Sequence, residues 1–476
     1  MTFSVASLED PAFESWLETQ LRHSATAMLS SISPVSTVKH RPGFGQTIRP
    51  IVGAIVASPV LADYNPDPDY FFHWFRDSAV VIDALRLLYA EGRVGDEALQ
   101  HLRDFIRFSI AVNGLDGRAV AAEQDRRARA APELLQYLRE DHDLASVHGD
   151  AVVAETRVNP DGTLDVLQWA RPQHDGPPLR ALALLRWVAG GHLDAALLAE
   201  ITPLIRFDID FTLRHWREPS YDIWEEELGH HYYTLRVAGA ALAEGAAWLE
   251  GLGDTAQAQR CREESGAVRR LLDDYWVDER DERGEQSGDR DSTRGYYRSR
   301  VLADGLPSPK ALDIAVILSA IHSLGSLGTE AVHGPADPRM QATLERLDAL
   351  FDAAYPINHG RGAGRGAAMG RYAGDVYYSG GAYYFSTLGA AEFCFRAAAA
   401  MGGDARHWNQ WMGRGDAYLA TVRAYTPAGG DLSEQFDQRS GAQTSAKQLA
   451  WSHAAFISCV SARRLAAAAC QAQRGR

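Results

Sequence analysis

The stretch "SYDIWEEELGHH", residues 220–231, holds four carboxylates within six positions: Asp222, Glu225, Glu226 and Glu227. Acids at a helix start are common, because they favour the macrodipole. Solvated acid runs rarely carry residues such as Tyr221, Ile223 and Trp224 between the charges. A carboxyl crowded against aromatics is costly to ionise.

Three other stretches combine acids or arginine with aromatics. In "NPDPDYFFHWFRDSAVV" (65–81), Arg76 and Asp77 follow a run that includes Tyr70 and Trp74 and open an apolar helix. In "LQWARPQHDGPPLRALALL", Trp169 precedes a proline-punctuated turn. In "GGDLSEQFDQRSGAQTSAKQLAWSHAAF" (429–456), Glu434 lies in a loop and Trp451 in the helix that follows. Taken singly these read as a capped helix with a surface ion pair, a core tryptophan and a solvated glutamate. Taken together they suit a sugar, whose CH faces stack on rings while carboxylates and guanidinium groups hold its hydroxyls.

Positioning these residues falls mainly to helices. Apolar residues recur at helical spacing in about a dozen segments, near 11–31, 76–92, 95–113, 177–190, 193–215, 232–251, 254–275, 309–325, 339–354, 381–401, 404–424 and 446–469. Residues 47–58 and 148–158 are the two short strand candidates. Terse links such as "AEGRVGDE" and "AGGHLD" alternate with long polar, aromatic loops, and loops of that length usually carry function. Helical hairpins with their long loops at one end predict a toroid of paired helices with a site at one rim. The polar run at 277–295 reads as a solvated excursion. There is no Pro- or Ser-rich linker, so residues 1–476 are expected to form one domain.

Composition narrows the function classes. The chain has 476 residues, 46% of them hydrophobic, enough for a large core. A net charge of −14 argues against a nucleic-acid partner, which needs clustered Lys and Arg. Cys261, Cys394, Cys459 and Cys470 form no CxxC pair, so free thiols are expected rather than zinc ligands. "GRGAGRG" (360–366) lacks a preceding strand and a P-loop lysine, and the His230–His231 pair lacks the spacing of a zinc site. No metal and no cofactor is expected. The N-terminal stretch has no basic, apolar leader and no segment is long enough to span a membrane, so a cytoplasmic location is expected.

The quoted stretches, in their order, resemble glycoside hydrolase family 15, the glucoamylase family, from "FESWL" at Phe13 to about Ala468. The likeness is to the fungal-type catalytic domain without an N-terminal β-sandwich. It implies an all-α (α/α)6 barrel and inverting, exo-acting release of glucose from non-reducing ends of α-glucosides. It implies Glu225 as general acid and Glu434 as general base. Arg76, Asp77, Tyr70, Trp74, Arg371 and Trp451 match the pocket for the terminal glucose, and Trp169 the indole beside the acid. Asp222, Trp224 and Glu226 match residues that position substrate or tune the acid, and repulsion from Asp222 and Glu226 is then expected to act on Glu225.

Two departures bear on the substrate. Glu227–Leu228–Gly229–His230–His231 replaces a small polar stretch, and "YAGDVYYSGGAYYF" departs from the family pattern after Arg371. An α-1,4-linked malto-oligosaccharide is the expected substrate, with no starch-binding module visible. α-1,6 glucans or trehalose are the alternative on the same machinery. A non-catalytic sugar-binding protein on the same barrel is the alternative from another class.

Overall fold

Among the described residues the long helices alternate along the sequence between two rings. In the computed structural model the described residues are 10–123, 125–279, 294–325, 332–400 and 404–474. Among them are twelve helices of eight or more residues: α1 Pro11–Ser30, α2 Phe75–Ala90, α3 Glu97–Asn113, α4 Gly176–Ala189, α5 Ala195–His215, α6 Tyr232–Gly251, α7 Thr255–Asp273, α8 Ala315–His322, α9 Pro338–Ala354, α10 Tyr384–Ala400, α11 Ala405–Tyr425 and α12 Ala450–Arg474. Helices α2, α4, α6, α8, α10 and α12 pack each on the next, and α12 closes the ring onto α2. The other six lie outside: α1 on α12, α3 against α2 and α5, α5 on α4 and α6, α7 on α6, α9 on α8, and α11 on α10 and α12. This is the (α/α)6 barrel.

The sequence separates the two rings. Inner helices are apolar nearly all round: in α10, Tyr384 to Phe395 are buried without a break. Outer helices are amphipathic, as in α3, where Ala98, Leu102, Phe105 and Ser109 mark one buried stripe. Capping differs as well. Asp10, Asp194, Asp254, Asp337 and Asp404 cap the outer helices α1, α5, α7, α9 and α11 through backbone N–H groups. The inner helices α2, α4 and α6 start without a side-chain cap on their first turn. Their N-terminal ends meet the long loops.

Eleven of the twelve expected segments agree with the helices to within a few residues. The window 309–325 starts early, because α8 begins only at Ala315. Residues before it are tied down otherwise: Ile314 N–H bonds the Arg371 carbonyl at 2.9 Å and Asp313 accepts Ala315 N–H at 2.8 Å. The strand candidates need correction. Only Thr47 and Ile48 of the first window lie in a strand, Gln46–Ile48, paired with Lys39–Arg41. In the second, Asp150–Val153 is a helical turn and only Arg157–Val158 is strand. Residues 280–293 of the polar run lie outside the described residues. Cys261, Cys394, Cys459 and Cys470 are free.

Small sheets escape the periodicity but do the positioning. Ser220–Tyr221 pairs with Leu228–His231, which pairs with Arg300–Leu302. Ala382–Tyr383, Gln435–Phe436 and Gln443–Thr444 form another sheet, and His73–Trp74 pairs with Arg157–Val158. These strands of two to four residues pin the loops above the inner ring.

Close helix approach depends on small residues. A Cβ at Gly415 of α11 would lie 2.4 Å from the Phe395 ring of α10. Gly415→Ala should destabilise the fold by about 1–3 kcal/mol, the usual cost of overpacking. Thermal unfolding checks this: the melting temperature is expected to fall, with residual activity per folded molecule unchanged at about 25 °C.

Candidate active site

The paired strands Ser220–Tyr221 and Leu228–His231 enclose a turn of six residues, 222–227. Asp222 builds that turn. Its Oδ1 accepts the N–H groups of Glu226 and Glu227, each at 2.8 Å, and Arg300 Nη1 reaches its Oδ2 at 3.2 Å. Burial raises the Asp222 carboxyl, but Arg300, His231 and the N–H groups of Glu227 and Glu226 together outweigh it and hold the carboxyl below its ordinary value. Arg300 also pairs with Glu227 at 3.0 Å and with Asp313. Within this turn Glu225 adopts φ +66°, a left-handed conformation that costs non-glycine residues of order 1–3 kcal/mol. The turn aims Glu225 inward.

Three donors meet the Glu225 carboxylate. Trp74 Nε1 and Arg76 Nη2 donate to Oε1 at 2.8 and 2.9 Å, and Trp169 Nε1 donates to Oε2. Arg76 lies buried at the first turn of α2. Its Nη1 donates to Asp175 at 3.0 Å, its Nε lies 3.7 Å from Asp77, and its guanidinium sits 5.6 Å from the Trp451 ring centre. Trp169 is backed by the Arg157 guanidinium, 3.7 Å from its ring centre. Among the described residues neither Arg76 Nε nor Trp451 Nε1 has a hydrogen-bond acceptor, although both are buried.

Glu434 enters from the other side, just before the strand Gln435–Phe436. Ser445 Oγ donates to its Oε2, and Tyr70 Oη donates to its Oε1 at 3.2 Å. Tyr70 also packs on Trp74 with ring centres 5.1 Å apart, so one tyrosine bridges the surroundings of both glutamates. Burial pushes the Glu434 carboxyl up to about 7; the Ser445 hydroxyl, Arg371 and Tyr70 pull it down, and Asp77 adds to the rise. Burial also lifts Asp77 to about 7 against the pull of Arg76.

The third wall gathers around Glu226. Arg371 Nη2 donates to it at 3.0 Å, Tyr372 Oη at 2.5 Å and Lys310 Nζ at 2.6 Å. Arg371 is itself clamped by Asp375 at 2.7 and 2.6 Å. Trp224 donates to Asp313 at 2.8 Å and lies in a stack with Phe385 and Trp451, the latter two 4.4 Å apart. A cavity of about 670 Å³ lies on the far side of Trp451 and Phe385, among Asp83, Arg186, His322 and Glu392. Neither Glu225 nor Glu434 lines it.

The expected residues Tyr70, Trp74, Arg76, Asp77, Trp169, Trp224, Glu225, Glu226, Arg371, Glu434 and Trp451 thus join one connected cluster. Asp222 stands behind the turn, 1% exposed, where it braces the backbone. The repulsion expected on Glu225 also needs correction. Asp222 has Arg300 as its counter-ion, and Glu226 has Arg371 and Lys310, so neither presents an uncompensated charge. Sequence reasoning misses Asp175, Arg300, Asp313, Lys310, Tyr377 and Ser445. Asp175, Tyr377 and Ser445 lie inside the aromatic and acidic loops described above, and that context is the available signal for them. Among the described residues no cluster of His, Cys, Asp or Glu has the arrangement of a metal site.

The profile of "Glycosyl hydrolases family 15" matches residues 44–117 and 156–461. The chain belongs to that family. It is a glycoside hydrolase. Curated relatives agree: a glucoamylase of Neurospora crassa is 26% identical, with the alignment covering 97% of this chain and 72% of that protein. A Saccharomyces cerevisiae protein named "Glucoamylase, intracellular sporulation-specific" is also 26% identical, over 94% of this chain and 84% of its own length. The solved glucoamylase of Hormoconis resinae superposes with a TM-score of 0.71 at 26% identity, covering 94% of this chain and 73% of that one.

The Glu434 carboxyl gives a stability test. Its folded-state value of about 7 exceeds the ordinary 4.5, so the native protein holds a proton that the unfolded chain has lost between those values. Stability is therefore drained as pH rises through that window. Glu434→Gln cannot ionise. Its stability relative to wild type should grow between about pH 4.5 and about pH 8, by on the order of 1 kcal/mol or more. Chemical denaturation across that range checks the sign; a pH-independent difference would contradict it.

Proposed function

We propose that the protein is a glucoamylase-type enzyme: an inverting, exo-acting α-glucosidase that releases β-D-glucose from the non-reducing ends of α-1,4-linked malto-oligosaccharides. The observation that carries this reading is the pair of inward-facing glutamates, on separate loops, joined through Tyr70 and Trp74 above the Arg76–Trp451 floor. The fungal and yeast relatives named glucoamylase support the same substrate class.

Glu225 is the general acid and Glu434 the general base. Inversion needs one carboxyl to protonate the leaving oxygen and another to deprotonate water on the opposite face of the sugar. Terminal-glucose hydroxyls compete for Arg76 and loosen its ion pair with Glu225, while the second sugar ring removes solvent from that carboxyl. At Glu434 burial outweighs the pull of Ser445, Arg371 and Tyr70, so the ionised base prevails only above about pH 7. The acceptor-less N–H groups of Arg76 and Trp451 suit sugar hydroxyls, and Asp77 suits an acceptor role beside them. Trp74 and Trp169 give the sugar ring edges and faces to pack on. Two carboxyls and a water are sufficient for this chemistry, so no cofactor is assigned.

The described residues form one barrel, which we read as a single catalytic domain. Its four unpaired cysteines, three of them buried, fit a reducing cytoplasmic setting. Among the described residues no helix is long and apolar enough to cross a membrane.

The test is Glu225→Gln, assayed on maltose and on an activated aryl α-glucoside. Acid catalysis contributes about 10²–10⁴-fold, so turnover of maltose should fall by that order. A leaving group that needs no proton should suffer far less. Equal losses on both substrates would assign Glu225 to binding. Glucose release by the wild-type enzyme from maltotetraose, isomaltose, trehalose and dextran identifies the linkage; preference for isomaltose or trehalose over the malto-series would overturn the α-1,4 assignment.

A further inference from the structure

Behind the indoles that hold Glu225 lies a column of alternating cations and rings. Arg41 stands at its far end, donating from Nε to Asp69 at 2.7 Å, from Nη1 to Asn159 at 3.1 Å and from Nη2 to the Phe71 carbonyl at 3.1 Å. Its guanidinium carbon lies 3.9 Å from the centre of the Phe72 ring, and that of Arg157 lies 4.0 Å from the same centre. At such a distance a guanidinium fits only above a ring face, and two fit only on opposite faces. Arg157 then reaches the ring centres of Trp169 at 3.7 Å and Trp74 at 4.9 Å.

Arg157 faces rings rather than acceptors. It is fully buried, and its Nε donates to Asp165 at 2.9 Å. Among the described residues its Nη1 and Nη2 have no hydrogen-bond acceptor. A buried donor without an acceptor is costly, and contact with aromatic faces is what offsets that cost here. The backbone enforces the contact, because Arg157 and Trp74 are cross-strand partners where His73–Trp74 pairs with Arg157–Val158. Trp74 and Trp169 in turn donate to the two oxygens of Glu225, one each. One guanidinium therefore stands against both indoles that fix this carboxyl.

We propose that Arg157 is a positioning residue for the acid: acting through Trp74 and Trp169, it holds the Glu225 carboxyl on the leaving oxygen. This rests on the reading of Glu225 as general acid given above. A cation over the face of an indole is attracted by the ring quadrupole and draws electron density away from the N–H, so the ring is fixed and its donor strengthened. A planar guanidinium can serve several rings at once, whereas a lysine ammonium keeps the charge but not the plane. Arg41 and Phe72 close the column from behind and keep Arg157 from retreating.

The test is the ratio of kcat/KM on maltose to kcat/KM on an activated aryl α-glucoside, whose leaving group needs no proton. Arg157→Met should lower this ratio by about 10-fold, since a catalytic group misplaced by about 1 Å loses up to about 10²-fold. Arg157→Lys keeps the cation and should retain part of the ratio. Arg157→Met combined with Asp165→Asn removes the carboxylate left unpaired, gives a folded enzyme where the single variant does not, and should show the same low ratio. In a Glu225→Gln background Arg157→Met should change the ratio no further, because both act on one proton transfer. A merely structural arginine would lower both substrates equally through loss of folded protein. An unchanged ratio in the Met variants, a Lys variant no better than Met, or a full further loss in the Glu225→Gln background would overturn the proposal. Equal losses on both substrates in Glu225→Gln itself would instead remove the acid assignment, and the positioning role with it. If wild type prefers isomaltose, that substrate takes the place of maltose.

Discussion

One buried guanidinium holds the site together. Arg76 stands at the start of an inner helix, bonds Asp175 at the start of the next, reaches the Glu225 turn, and lies over Trp451 of the last inner helix. A buried arginine is tolerable only when its charge is compensated and most of its donors are used. Its partners come from elements that approach one another only when the ring of six helices closes. The charge requirement and the topology therefore impose each other: the barrel gathers the acids, and the acids make a buried arginine tolerable inside it.

Arg300 has the corresponding role farther from the pocket. It pairs with Asp222, Glu227 and Asp313, and so fixes the strained turn from which Glu225 points inward. Arg371 does the same for the opposite wall through Asp375 and Glu226. Each of these arginines is itself neutralised by carboxylates, so the walls stay fixed around the two glutamates. Glu434 differs from Glu225, since its hydrogen-bond donors are hydroxyl groups and burial dominates its environment. Two carboxyls of one residue type acquire unlike surroundings, which is the condition for dividing acid and base roles between them.

The helices are legible in the sequence because a barrel wall repeats one simple pattern over long stretches. The outer helices show an apolar stripe and, in five of them, an aspartate cap just before the first turn; the inner ones are apolar nearly throughout. The motifs are legible because aromatics beside carboxylates are rare in solvated loops. What stays hidden depends on partners remote in sequence. Nothing near Asp222 reveals that Arg300, 78 residues away, will neutralise it, and nothing near Glu226 points to Lys310. The sheets escape notice because strands of two to four residues have no usable period. The late start of α8 is hidden because Ala311, Leu312 and Ile314 extend the apolar pattern, while Asp313 and the Arg371 carbonyl hold the backbone outside the helix.

The central claim is that Glu225 and Glu434 act as an acid and a base across the same bond, with water attacking from the Glu434 side. Such a displacement inverts the anomeric carbon in a single step. Proton NMR of the first turnovers on maltotetraose, recorded before mutarotation, reads the configuration directly. β-Glucose is the expected initial product, with the α anomer appearing only at the rate of spontaneous equilibration. Initial α-glucose would mean a covalent glycosyl-enzyme route and would contradict both the assigned roles and the mechanism.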